Sequence, residues 1–198
     1  MEENVNFKKV FLITMIVSLS IAALVGIAII LIGRFGEIEA RIFFTTLAIG
    51  GFSLTGLCSS VLYDKNRYMI LAGLGMLVAV LGFLFTTVII WGDLLDSNLG
   101  LWKTTIIFII LSVGIAHSSL LLLIKSEKTA VNTFLSLTLL FIFIVAAMLI
   151  YMILVEFDVN DIIFFKVLAV FAILDALGTI VTPILYKVVS LHKPVMQI

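Results

Sequence analysis

Chemistry-bearing residues are scarce in this chain. Cys58 is the single cysteine, so an intramolecular disulfide, a paired-cysteine redox centre and a CxxC-type zinc cluster are all excluded. Histidine occurs only at 117 and 192. His117 falls inside a long apolar run and His192 in the tail after the last one, which rules out a haem held by two histidines in the bilayer. The H-E-x-x-H helix of zinc proteases is missing, as is a Gly-x-Ser-Gly nucleophile of the rhomboid type. No metal, no cofactor and no catalytic residue is expected. Charge is sparse and balanced, with 12 basic residues against 12 acidic ones, which gives no reason to invoke nucleic acid. Proline occurs only at 183 and 194.

What remains is apolar. The 198 residues are 63% hydrophobic and 12% charged, where soluble domains carry about 45–50% and about 25%. That is the composition of a membrane protein. Apolar runs cover about 10–32, 42–63, 68–91, 102–124, 131–155 and 163–186, each long enough for the roughly 20 residues of a spanning helix. Membrane strands would show runs of about 10 residues with alternating polarity, and none of these runs alternates. The first run is longer than the 7–15 or so residues of a signal-peptide core and reads as a retained span. The expected fold is therefore all-α: one polytopic domain over 1–198, a bundle of six transmembrane helices. Connections this short leave no room for a soluble domain, so any activity belongs in the bilayer, at its surface or in a partner.

Orientation follows from the cations. The termini and the second and fourth connections hold Lys8, Lys9, Lys65, Arg67, Lys125, Lys128, Lys187 and Lys193, against Arg34, Arg41, Lys103 and Lys166 on the other face. This asymmetry places both termini in the cytoplasm of a cell membrane. Glu37, Glu39, Asp93, Asp96, Glu156, Asp158 and Asp161 crowd the outer face, and Trp91 and Trp102 mark its interface. Arg41, Lys103 and Lys166 recur at near-equal intervals near the start of the even-numbered runs, a rhythm that three two-span units would produce.

Small residues predict which runs pack. The third carries Ala72, Gly75, Ala79, Gly82 and Thr86 at steps of three and four, a stripe along which another helix can approach closely. Ser18, Ala22 and Gly26 do the same on the first run, and Gly51, Thr55 and Ser59 on the second. These three runs are expected to pack together, while the bulky fifth, with Leu139, Leu140, Phe141, Phe143 and Met148, faces lipid. Such stripes also suit a second copy of the chain or a membrane-protein partner.

One run differs. Asp175 lies about 18 Å of helix rise from Lys187 and about 13 Å from Lys166, near the middle of a hydrocarbon layer about 30 Å thick. An ionised Asp there costs about 2.5–3.5 kcal/mol on insertion scales, so it should face protein or water, or be protonated. Gly178, Thr179 and Thr182 share its helix face. Pro183 removes one backbone NH, and the two threonines are expected to repair the carbonyl it frees. His117, about 12 Å from Lys125, is placed to meet Asp175 if the fourth and sixth runs are neighbours; a hydroxyl such as Ser112 could serve instead.

Two functions fit. One is a non-catalytic membrane component, an accessory subunit or partner-binding protein, favoured by short connections and a single intramembrane acid. The other is a small transporter or channel-like protein whose path is lined by Asp175, Thr179, Thr182 and His117. A water-filled cavity reaching Asp175 would separate them.

Overall fold

Lipid offers no hydrogen bonds to an exposed backbone, so an apolar run that crosses it folds as an unbroken helix. The computed structural model describes residues 7–32, 36–92, 99–126, 128–155 and 162–191. Arg34, Asp93, Asp96, Glu156, Asp158, Asp161, His192 and Lys193 lie outside them. The described residues form six helices: α1 (Phe7–Ile32), α2 (Glu37–Asp64), α3 (Met69–Trp91), α4 (Leu99–Leu122), α5 (Thr129–Leu154) and α6 (Ile162–Leu191). All six are long and apolar enough to cross a membrane; among the described residues there is no strand. The shortest has 23 residues and the longest 30, or roughly 35 to 45 Å of rise. The chain is an all-α, multi-pass membrane protein.

Its contacts fall into two compact units, Met1–Ala116 and His117–Ile198. The boundary lies within α4, so the contacts do not divide the chain into the three two-span units that the spacing of basic residues suggested. Interfacial cations recur at every second crossing whatever the packing.

In the first unit α2 is the central element. Its face toward α1 is made of Thr46, Gly50, Ser53 and Gly56, all buried. Phe7 stacks edge-on against Tyr63 at 5.8 Å, Phe11 covers Gly56, and Leu19 lies against Gly50. Residues later in α1 thus meet residues earlier in α2, which makes the pair antiparallel. A Cβ on Gly50 would fall 2.8 Å from Leu19 Cδ2, so this approach requires glycine. Toward α3, Ser59 meets Gly75 and Phe52 meets Gly82, and Phe85 of α3 stacks on Phe108 of α4 at 5.1 Å. Ala72, Gly75, Ala79 and Gly82 are all buried. Between α2 and α3 the chain reverses through Asn66 and Tyr68, with φ of 50° and 49°.

The second unit holds the last residues of α4 with α5 and α6. Tyr151 meets Phe164, Phe141 meets Phe171 and Thr138 meets Gly178, again an antiparallel order. On α5, Phe143 and Leu140 are exposed, while Thr138 and Ile142 are buried. Pro183 lies inside α6, which continues through it.

Candidate functional site

Two places in the structure gather polar groups inside apolar surroundings, one in each unit. The first is a groove of about 990 Å³ formed by α2, α3 and α4. From α2 it takes Ala40, Phe44, Ala48, Gly51 and Thr55, spaced by three or four and so on one helix face. Opposite them stand Trp102, Thr105, Ile106, Ile109 and Val113 of α4, with Ile89 and Ile90 of α3. Most of this wall is hydrocarbon. Along α4 the groove extends from Trp102 to Val113, roughly 16 Å of rise, and along α2 from Glu37 to Thr55, roughly 27 Å.

Its two ends are chemically distinct. At one end Arg41 is paired with Glu37, Nη2 to Oε1 2.6 Å. Arg41 Nη1 also donates to the carbonyl of Trp91 at 3.3 Å, and Trp91 Nε1 donates to Thr45 Oγ1 at 2.9 Å. Glu37 is exposed, so the pair contributes little to stability and acts mainly to position the guanidinium. At the inner end Ser112 Oγ donates to Thr55 Oγ1 at 2.7 Å, and Thr55 passes its proton to the carbonyl of Phe52 at 3.0 Å. This is where Ser112 finds its partner, on α2 and not at Asp175.

Most buried hydroxyls here are satisfied by their own helix. Thr46, Thr86, Thr87 and Thr182, for example, each donate to a carbonyl one turn earlier, the usual device for a hydroxyl in an apolar medium. Thr105 does not. It lines the groove, is 4% exposed, and its Oγ1 has no hydrogen-bond partner. Among the described residues Ser119 is the other buried hydroxyl in that state.

Gly51 was expected at a helix contact. It is exposed, and a Cβ built on it would have nothing within 4 Å; it forms part of the groove wall instead. The residue that meets α1 is its neighbour Gly50. One position is about 100° of helix rotation, and a Gly-Gly pair gives the sequence no means to choose between them.

The second place lies within the other unit. His117 Nε2 is 2.9 Å from Thr179 Oγ1. Thr179 in turn donates to the main-chain carbonyl of Asp175 at 2.8 Å, with the carboxylate Oδ1 at 3.4 Å. A hydroxyl has one proton; with that proton on the Asp175 carbonyl, the bond from histidine is donated by Nε2–H. His117 and Asp175 are thus connected through Thr179. The sequence contained this signal, since Thr179 lies about 12 Å of rise from Lys187, the depth of His117 below Lys125.

The polar face of α6 divides accordingly. Gly178 and Thr182 meet α5, where Thr138 Oγ1 lies 3.4 Å from Thr182 Oγ1, while Thr179 meets His117. Neither hydroxyl repairs the carbonyl freed by Pro183, which belongs to Thr179. Thr179 bonds Asp175 O and Thr182 bonds Gly178 O, because a helical threonine reaches back one turn from its own position. A shallower depression of about 490 Å³ follows one face of α5 past Asn132, Thr133 and Ser136. Asp175 lines neither this depression nor the groove. No group of three or more metal-ligating side chains occurs among the described residues. The chain matches no protein-family model, no curated protein and no solved structure.

Proposed function

We propose that this membrane protein is a non-catalytic component whose work is recognition inside the bilayer, its groove on α2, α3 and α4 receiving an apolar occupant. The observation that carries this is the groove itself: about 990 Å³ lined largely by hydrocarbon and polar at its ends. Side chains that could activate a nucleophile do not converge there. In this reading the protein lies in a cell membrane with both termini in the cytoplasm, which the asymmetry of lysine and arginine supports. In a Cys58→Ser background, a cysteine at Lys128 should label from the cytoplasmic side and one at Gly100 from outside.

A photoreactive residue tests the groove. Placed at Ile109, which lines it, the group should yield one dominant adduct mass in native membranes. Placed at Ile173 of α6, which is 66% exposed against 41% for Ile109, it should yield the mixture of bulk lipids. The same mixture at both positions would refute a defined occupant.

A second reading draws on a different observation, the Thr179 hydroxyl lying 2.9 Å from His117 Nε2 and 3.4 Å from Asp175 Oδ1. A half-buried acid and imidazole on either side of a hydroxyl are the parts of a proton relay, and the protein would then be a small transporter or channel-like protein. Asp175→Asn preserves shape and removes titration, so flux of protons or cations into liposomes should fall while assembly survives. Parental flux in the variant would end that reading and leave recognition as the function.

A further inference from the structure

We propose that the groove is a site for one membrane glycerolipid, with an acyl chain lying between Gly51 and Ile109 and an ester oxygen accepting the hydroxyl proton of Thr105. This rests on the reading that the groove holds an apolar occupant, and it assigns the chemical class. Depth is the first argument. Measured from Trp102 on α4 the groove extends roughly 16 Å, and from Arg41 on α2 roughly 21 Å, to the Ser112–Thr55 bond, short of crossing a hydrocarbon layer about 30 Å thick. An acyl chain ends near the midplane; a partner's transmembrane helix has to cross the whole layer, and its far end would find no groove.

Polarity is the second. Arg41, Glu37 and Trp102 stand at one end of the groove, with Ala48, Gly51 and Ile109 further in. That is the profile of an amphiphile, head at the interface where tryptophan rings settle and chain below. At Gly51 a Cβ would meet nothing within 4 Å, which lets a hydrocarbon chain lie directly on the α2 backbone.

Thr105 supplies the third argument, independent of the shape. The residue is 4% exposed and lines the groove, and its Oγ1 is covered and unpartnered, a costly state for a buried donor that a turn about χ1 toward an acceptor in the groove would relieve. It lies one turn inside Trp102, about 5 Å further from the interface, the level at which ester carbonyls replace head groups. A helix arriving there has its backbone carbonyls already bonded. An ester oxygen is an available acceptor.

The test uses the full chain purified in detergent, incubated with palmitoyl-oleoyl phosphatidylglycerol and followed by native mass spectrometry. The parent should retain one lipid through activation that strips the rest. Gly51→Leu, whose Cβ would meet nothing within 4 Å at the groove wall, should lose the retained lipid while unfolding at the parental temperature. Thr105→Val has the same shape without the hydroxyl, and retention should weaken about fivefold, the worth of one ordinary hydrogen bond. A merely structural Thr105 would leave retention unchanged. Equal retention by the parent and Gly51→Leu overturns the proposal; if that variant fails to fold, undiminished retention by Thr105→Val overturns it. The photoreactive group at Ile109 separates the two levels of inference. A lipid-sized adduct supports the assignment, and a protein-sized one overturns the lipid while the groove still has its occupant. The mixed adducts seen at Ile173 would remove both.

Discussion

α2 meets α1 and, below its Arg41 and Thr45 bonds to Trp91, α3 where glycines remove a Cβ, whereas the helices of the second unit meet at hydroxyl and imidazole groups as well as at aromatic rings. Gly50, Gly56, Gly75 and Gly82 each lie under a side chain of another helix, and the polar residues beside them mostly bond their own backbone. In the second unit Gly178 is the one such site among the described glycines, and the bonds His117–Thr179 and Thr138–Thr182 cross between helices. The difference shows two ways of joining helices in a medium that supplies no hydrophobic drive: close packing, which fails by collision, and hydrogen bonding, which fails by a modest loss. Substitutions in the two units should therefore differ in size as well as in place.

The largest effect is expected at Gly75. A Cβ there would fall 2.8 Å from Ile115 Cγ2 and 2.9 Å from Ser59 Cβ, so Gly75→Leu should destabilise by about 1–3 kcal/mol or more and cut the yield of folded protein. Gly73→Leu, with nothing within 4 Å, serves as its control on the same helix. Matching unfolding temperatures for the two variants would break the close-packing account of the first unit.

Gly178→Leu ranks next, since it places a side chain against Thr138. Its measured loss sharpens the comparison: if it equals that of Gly75→Leu, the second unit also depends on close packing. Smaller again is the cross-helix bond. A double-mutant cycle of His117→Gln and Thr179→Val should give a coupling of about 0.6 kcal/mol, the average for bonds of this type in a membrane. Zero coupling would mean that the 2.9 Å contact contributes no stability. Thr86→Val, whose hydroxyl bonds only its own helix, should change stability least.

Much of the fold could be read from the sequence. Six crossings follow from run length, because a helix must be about 20 residues long to span the hydrocarbon, and α2 was expected to start at about 42 where it in fact begins at Glu37. The buried face of α3 follows from the spacing of Ala72, Gly75, Ala79 and Gly82; on the other helices the pattern was weaker. α5 was expected to present bulk to lipid, yet its Thr138 and Ile142 are buried and Phe141 packs on Phe171. A helix with apolar residues on every side does not tell which side is covered.

Sequence alone determined that this chain carries six runs long and apolar enough to cross a membrane as helices, and that small polar residues share a helix face with Asp175. Each of these depends only on run length and on the period of one helix. The tertiary structure decided that Gly50 and not Gly51 meets α1, that Thr179 joins His117 to Asp175, and that α2, α3 and α4 leave a groove with Thr105 in its wall. These depend on the rotation of one helix against another, about 100° per residue. In lipid that rotation is set by which surfaces fit closely, a property of pairs of helices that no single run carries.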